Sequence, residues 1–169
     1  MGVGWLGIDS IENRVVSIGK FKVVNWPMST KAEIIGIWMV LLISQCNTIV
    51  RVFTDSKQAI EQISKIHDIE QYNKWIRSDN RIILKKVTSL LKQKGINLEL
   101  QKVKGHAGDQ RNIKADQLAK EGRRSSIQLN LRAAKNDNID YEVLWRSNKI
   151  ENSVKSFITN LSKRYNDAE

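Results

Sequence analysis

The most informative part of the sequence is KGHAGDQRNIKADQLAKEG, residues 104–122. Its first part, Lys104–Gln110, is predicted to be a loop with His106 between glycines. A lone loop histidine most often has no function, but flanking glycines leave it mobile and exposed, which suits proton transfer or product release. The rest, Arg111–Gly122, is predicted to be a helix that ends at its glycine. Asp116 lies about one turn into that helix, where it could simply be favourable charge near a helix N-terminus.

Upstream of this stretch, two strands and a helix are predicted. Val3–Ile8 is apolar and Arg14–Val24 alternates, which predicts a hairpin with a turn at residues 9–13. Thr30 and Glu33 match the capping box S/T-x-x-E, which predicts a helix over residues 31–44. Between this helix and residue 104, the patterns predict a strand at 47–53 and a helix that starts at 54–56 and ends at 66. Trp75 is expected to anchor the segment that follows. A helix at 81–94, ended by Gly95, and a strand at 96–103 complete this part of the chain. The order β-β-α-β-α-α-β-α predicts an α/β fold with a mixed sheet flanked by helices.

The length and a change of composition predict one domain with an extension. The chain has 169 residues, and the sequence becomes polar after Arg124. We therefore expect a domain over residues 1–124 and a C-terminal extension over residues 125–169. Within the extension, Ile150–Arg164 is predicted to be an amphipathic helix, and Trp145 is expected to serve packing.

The charge balance points to a polyanionic partner. Lys and Arg number 28 against 18 Asp and Glu, a formal net charge of +10. Such an excess is typical of nucleic-acid-binding proteins, although a merely soluble basic surface gives the same number. Seven basic residues and one acid lie between residues 81 and 104: Arg81, Lys85, Lys86, Lys92, Lys94, Lys102 and Lys104, with Glu99. A solvated helix face explains that cluster as well as a binding surface does.

Cysteine usage and hydropathy narrow the location. Cys46 is the single cysteine, which excludes a disulfide framework and a cysteine-based zinc site and favours a reducing compartment, the nucleus or the cytoplasm. The longest apolar run, Ile34–Ile43, is shorter than the roughly 17–25 residues of a membrane-spanning helix. It is also not N-terminal, so we expect a buried helix and no membrane partner.

Three acidic residues are candidates for chemistry: Glu33, Asp55 and Asp116. Each also has a structural explanation: for Glu33 the completion of a capping box, and for Asp55 the capping of the next helix. Asp55, however, ends a strand, where open α/β sheets place their ligands. Carboxylates that converge from separate elements can hold Mg²⁺. Two such ions can activate water and stabilise the leaving oxygen in phosphodiester cleavage. His67 has no comparable context.

The same residues resemble a known family. Residues 103–120 closely resemble the C-terminal signature of type 1 ribonuclease H, G-H-x-G-x-x-x-N-x-x-A-D-x-L-A. Thr54-Asp55-Ser56 resembles its T-D-S, and Thr30–Glu33 followed by Ile34 resembles its T-x-x-x-E-L segment. Gly4-Trp5 and the hairpin resemble the second and third strands of the family. The resemblance covers residues 2 to 124, and it follows the family's order.

The resemblance implies a five-stranded mixed sheet and a site with two Mg²⁺ ions, or Mn²⁺, that cuts the RNA strand of RNA–DNA hybrids. It makes Glu33, Asp55 and Asp116 the metal-binding catalytic carboxylates. It makes His106 the mobile histidine that assists turnover, and Asn112 a supporting residue at the start of the last helix. Lys104 and Asn112, with Lys85 and Lys86 on the preceding helix, are the expected nucleic-acid contacts. Hybrids are recognised by shape, phosphates and 2′-hydroxyls rather than by base sequence.

The sequence departs from the family at its start. Family members begin with a central strand that carries D-G-S and a metal-bridging aspartate, whereas this sequence begins at the Gly4-Trp5 strand. Asp9 is no substitute, because it lies at the hairpin turn and is expected to form it. The strands that would flank the missing first strand should therefore lack a hydrogen-bonding partner on that side. We expect a fragment or a wrongly started gene model of a longer, retroelement-like polyprotein; a gap filled by the extension and an exchange between two chains are the alternatives.

The leading interpretation is therefore an RNA–DNA hybrid ribonuclease that is impaired by loss of its first aspartate. The alternative is a catalytically inactive nucleic-acid-binding module derived from such a domain. A related integrase-type polynucleotidyl transferase ranks lower, because the loop around His106 followed by N-x-x-A-D is typical of ribonuclease H. The oligomeric state stays open.

Overall fold

The computed structural model describes residues 1–24, 28–65, 80–105, 110–129, 144–145, 148–150, 157–160 and 162. The predicted hairpin is confirmed: β1 (Gly2–Ile8) pairs antiparallel with β2 (Val15–Val23). Asp9 forms the turn between them, because its Oδ1 accepts hydrogen bonds from the backbone N–H groups of Ile11 and Glu12 at 2.8 and 2.9 Å. The backbone bonds lower the pKa of Asp9. Asp9 therefore forms the hairpin turn, as predicted.

The apolar run forms the central helix, α1 (Ser29–Ile43). Its lack of a polar face suits a buried position, and Ile34, Ile35 and Leu41 are fully enclosed. The predicted capping box is wrong: Met28 is the N-cap and no side chain caps the helix. Thr30 and Glu33 are instead engaged in tertiary hydrogen bonds, which compete with a local cap.

The second half of the fold is a parallel strand pair with its helices. β3 (Ile49–Thr54) and β4 (Asn97–Lys102) pair in parallel, with Ile49 opposite Asn97. Between them lie α2 (Lys57–Ser64) and α3 (Arg81–Lys94), and α4 (Gln110–Gly122) follows β4. Gly95 ends α3 at φ 61°, the left-handed conformation that glycine adopts without strain. These bounds confirm the predicted element order.

The sheet is divided into two parts in the described region of the chain. One part has the order β1-β2-β5, where β5 (Gln128–Leu129) pairs parallel with β2, and the other is β3-β4. No ladder joins β1 to β3 within the described residues, and α1 packs against both strands. β1 thus has no strand partner there besides β2, and β3 has none besides β4, as predicted. A separate small pair consists of β6 (Leu144–Trp145) and β7 (Asn148–Lys149).

The core lies between α1, α3 and one face of both sheet parts. It combines Val3, Phe21 and Val23 from the hairpin with Ile83 and Val87 of α3 and the apolar side of α1. The opposite face of the hairpin carries α4. There the backbones approach so closely that a Cβ on Gly2 or Gly4 would overlap the backbone of Ala119. The hairpin is therefore held between two helical layers.

Residues after position 124 contact the preceding part of the chain at two described points. The N–H of Lys22 donates to the carbonyl of Ile127 at 2.9 Å, where β5 joins β2. Ile150 is buried, and its carbonyl accepts a hydrogen bond from the buried Arg81 guanidinium at 3.1 Å. Residues 157–160 are helical, but most of the helix predicted at 150–164 lies outside the described residues, as do His67 and Trp75.

Helices of the described region are too short or too polar to cross a bilayer.

Candidate active site

The protein around Glu33 raises the pKa of its carboxyl group. Glu33 lies in the first half of α1, and its Oε2 accepts a hydrogen bond from the Thr54 hydroxyl at 3.0 Å. Part of the residue is exposed to solvent, but the protein around the carboxyl group removes water from it and thereby raises the pKa of Glu33. The hydrogen bond from Thr54 opposes that rise, whereas the negative charges of Asp55 and Asp116 add to it.

Asp55 follows the last residue of β3 and is exposed. It does not cap α2, because that role belongs to Ser56, whose Oγ accepts from the N–H of Ala59 at 3.2 Å. The loop after β4 approaches Asp55 closely: a Cβ placed on Gly105 would lie 2.9 Å from Asp55 Oδ2. Asp55 therefore sits where the ends of two parallel strands meet, and its carboxylate has no capping function.

Asp116 is half-buried on α4. Because α4 starts at Gln110, Asp116 lies beyond the first turn, and that turn contains no acidic residue. The helix dipole acts mainly within the first turn, so it does not account for Asp116. The charge of Asp116 instead acts on Glu33, which belongs to a helix on the other face of the hairpin.

Three carboxylates from three separate elements are thus brought near one another. Their oxygens are the donors that Mg²⁺ prefers, and a cation between them would relieve the repulsion that helps to raise the pKa of Glu33. The donor chemistry therefore fits a divalent ion. The cluster is open, however: among the described residues no three Asp, Glu, His or Cys side chains are close enough together to hold a metal ion.

The other predicted site residues flank this cluster along the chain. Lys104 is exposed just after β4, and Asn112 is half-buried in the first turn of α4. His106 lies outside the described residues, so its predicted role stays a prediction. On α3, Lys85 and Lys86 are half-buried, and the Lys86 ammonium lies 5.9 Å from the centre of the Trp38 ring.

Two residues of the predicted basic cluster, Arg81 and Lys94, bond backbone carbonyls of the fold. Arg81 is buried against the Ile150 carbonyl. Lys94 donates from Nζ to the carbonyls of Leu41, Leu42 and Ser44 at 3.1, 2.6 and 2.8 Å. These two cations stabilise the fold, so the part of the cluster that could face a ligand is smaller than the sequence suggested.

Two features of the site region were missed by the sequence analysis. The first is Thr54, whose hydroxyl holds Glu33. The second is a polar cavity of about 400 Å³ next to the start of α1, lined by Met28, Thr30, Gln58, Glu61, Gln62, Lys65 and Asn80. Asn80 is 1% exposed, and its Oδ1 is buried without a hydrogen-bond partner in the described structure. The local signal was weak: an asparagine before a helix, a residue type that tolerates its positive φ of 60°.

Comparison with solved structures identifies the fold. The chain is similar to the protease-reverse transcriptase of prototype foamy virus, with a TM-score of 0.53 and 16% sequence identity. The similarity covers 73% of this chain and 20% of that one, so the chain spans about a fifth of the viral protein's length. No curated protein matches the sequence.

Comparison with family models covers most of the domain. Residues 15–124 match the RNase H family, a family of nucleases that bind nucleic acid. The match includes all three carboxylates and residues 104–122, and it spans well over half of the 169 residues. The mixed sheet, the flanking helices and this match agree, and the chain therefore belongs to the RNase H family.

Proposed function

We propose that this chain is the catalytic domain of a ribonuclease that cuts the RNA strand of RNA–DNA hybrids. The observation that carries the proposal is the electrostatic contact of Glu33 with Asp55 and Asp116, three carboxylates on three elements. Membership of the RNase H family supports the reaction class. The fold shared with a viral protease-reverse transcriptase supports an origin within a longer, retroelement-like polyprotein.

In this proposal Glu33, Asp55 and Asp116 are the residues that would hold two Mg²⁺ ions, or Mn²⁺, which when bound would supply an activated water and charge stabilisation for the leaving oxygen of the phosphodiester. Glu33 and Asp116 bring negative charge from opposite helical layers, and Asp55 adds its own from the sheet edge. Lys104 and Asn112, with Lys85 and Lys86, bind the backbone phosphates of the hybrid, and His106 assists release of the cut strand.

The divided sheet predicts that the site needs one more element. β1 has no second strand partner besides β2 in the described structure, and β3 has none besides β4, so each has an edge that can accept a further strand. A strand that paired in parallel with β3 would end beside Thr54 and Asp55, where an aspartate could join the cluster. We infer that the chain as given cleaves poorly, because its cluster of carboxylates is open.

A cleavage assay tests the proposal. A labelled RNA–DNA hybrid is incubated with Mg²⁺ or Mn²⁺ and four proteins: the chain as given, a version with a D-G-S strand added before Met1, and this version with Asp55→Asn or Asp9→Asn. We expect the added strand to raise cleavage strongly. Asp55→Asn should abolish it, whereas Asp9→Asn should preserve it, because Asp9 serves the turn. Cleavage that survives Asp55→Asn would contradict the assigned site.

The alternative function is a nucleic-acid-binding module without activity. The open cluster and the divided sheet favour it for the chain as given. It predicts salt-sensitive binding of the hybrid together with no cleavage, even after the strand is added. Cleavage by the version with the added strand would reject it.

A further inference from the structure

Thr54 contacts Glu33, directly precedes Asp55 and has no assigned role in the proposed function. It is the last residue of β3 and is 5% exposed. Its hydroxyl makes two hydrogen bonds: it accepts from the N–H of Ser56 at 3.2 Å and donates to Glu33 Oε2 at 3.0 Å. Because the bond from the backbone N–H occupies one side of the hydroxyl oxygen, the hydroxyl proton is directed toward Glu33.

The backbone of Thr54 contacts a third segment. Its carbonyl accepts a hydrogen bond from the N–H of Val103 at 3.0 Å. That bond holds the loop after β4 against the end of β3, where Gly105 approaches Asp55. One residue thus links the helix that carries Glu33, the strand that leads to Asp55 and the loop that leads to α4.

We propose that Thr54 is a positioning residue for the divalent ion of this site. Its hydroxyl engages Glu33 Oε2 and fixes the side chain that would hold the cation together with Asp55 and Asp116. A free glutamate loses rotamer freedom when it binds a metal, and a fixed one has lost it already. The inference rests on the proposed function, since it needs the carboxylates to bind a metal.

The competing explanation is purely structural. A buried hydroxyl needs a hydrogen-bond partner wherever it lies, and Glu33 could merely satisfy that need. The two explanations differ in one measurable quantity. A structural bond changes only the free energy of unfolding, whereas a positioning bond changes the affinity for the metal.

The test compares three variants in the absence of nucleic acid. Thr54→Val keeps the shape and removes the hydroxyl, and Thr54→Ser keeps the hydroxyl. Thr88→Val is the matched control, because Thr88 Oγ1 donates at 3.0 Å to the Leu84 carbonyl within α3. Mn²⁺ binding is titrated by electron paramagnetic resonance, and unfolding is followed by circular dichroism.

We expect Thr54→Val to weaken Mn²⁺ binding about 10-fold, the lower end of what loss of a hydrogen-bond partner of a metal ligand costs. Thr54→Ser and Thr88→Val should bind Mn²⁺ like the parent chain. If Thr54→Val does not fold, Thr54→Cys, whose thiol is a weaker hydrogen-bond donor than the hydroxyl, must show a weakening in the same direction. Parent-like binding by Thr54→Val, with or without lower stability, would overturn the role of Thr54 alone. No Mn²⁺ binding either by the parent chain or by the version with the added D-G-S strand would reject the three-carboxylate site itself, and this inference with it. If only the version with the added strand binds Mn²⁺, the same variants are compared in that version.

Discussion

At the residue scale, the candidate site is costly to the fold. The Glu33 carboxyl group is drawn out of water near two like charges, and the opposing contribution is one hydrogen bond from Thr54. A carboxyl group whose charged form is stabilised by folding has a lowered pKa instead. This imbalance is typical of functional sites, where charge is arranged for a ligand rather than for stability.

The raised pKa predicts how stability depends on pH. Since folding raises the pKa of Glu33 above its ordinary 4.5, the protonated form favours the native state. The resulting stability is present below pH 4.5 and is lost as pH rises through the folded-state pKa. We therefore expect Glu33→Gln to be more stable than the parent at pH 7 and equal to it near pH 4. Urea unfolding in EDTA across this range measures the difference.

A control of opposite sign is available. The pKa of Glu121 is lowered, chiefly by the hydrogen bond that Lys20 donates at 2.7 Å. Stability from that group is present at neutral pH and is lost as pH falls through its folded-state pKa. Glu121→Gln should therefore destabilise the protein at pH 7. Stabilisation by both substitutions would mean that the loss of a carboxylate in general, and not the position of Glu33, causes the effect.

The role of a residue could be predicted from the sequence only where its hydrogen-bond partners lie a few positions away along the chain. The role of Asp9 was predictable, because its partners Ile11 and Glu12 are two and three positions away. The capping box of Thr30 and Glu33 was wrong, because Gln58 and Thr54 hold those side chains. Partners 28 and 21 positions distant leave no local pattern to detect.

At the element scale, Lys94 terminates a helix to which it does not belong. It lies at the end of α3, and its ammonium bonds three carbonyls at the end of α1. A cation there satisfies carbonyls that have no partner in the helix and complements the negative end of the helix dipole. Sequence patterns could not distinguish this lysine from its neighbours in the basic cluster.

Removal of that cation should destabilise the fold. We expect Lys94→Met to lower the free energy of unfolding by about 1.5–3 kcal/mol, the range for hydrogen bonds to charged groups. The control is Lys120→Met, an exposed lysine in the last turn of α4, for which a change within about 0.5 kcal/mol is expected. Equal losses in urea unfolding would show that removal of a lysine near a helix end, and not of the bonds to α1, lowers the stability.

Glycines in β1 set the distance between the hairpin and α4. A Cβ on Gly4 would overlap the backbone at Leu118 and Ala119, whereas a Cβ on Gly7 would meet the Ser17 side chain. Backbone cannot give way as a side chain can. Gly4→Ala should therefore cost about 1–3 kcal/mol or more of unfolding free energy, and Gly7→Ala clearly less. Thermal unfolding of both variants checks this, and the reverse order would contradict the close packing of β1 on α4.

At the scale of the whole molecule, the order of elements was predictable but the packing between them was not. Periodicity and turn residues predicted the helices and strands, because those signals are local. The division of the sheet was predicted only through the resemblance of the chain to a family with a further strand. The apolar sequence of β1 gives no sign that one of its edges is unpaired in the described structure.

The net charge of +10 predicts the salt dependence of binding. Each phosphate contact that a lysine makes to a duplex makes the slope of log K against log salt more negative by about 0.9. Changing Lys85 and Lys86 to Gln should therefore make the slope for an RNA–DNA hybrid shallower by up to about 2. Fluorescence anisotropy in EDTA, which prevents cleavage, measures the slope.

Lys94→Met provides the control for that experiment, because it also removes positive charge. Lys94 already bonds three carbonyls, so its loss should leave the slope unchanged at a temperature where the variant is folded. A slope that becomes equally shallow in both proteins would assign binding to the diffuse charge of the chain. A shallower slope confined to the Lys85 and Lys86 variant would assign binding to the face of α3 on which Lys86 lies against Trp38.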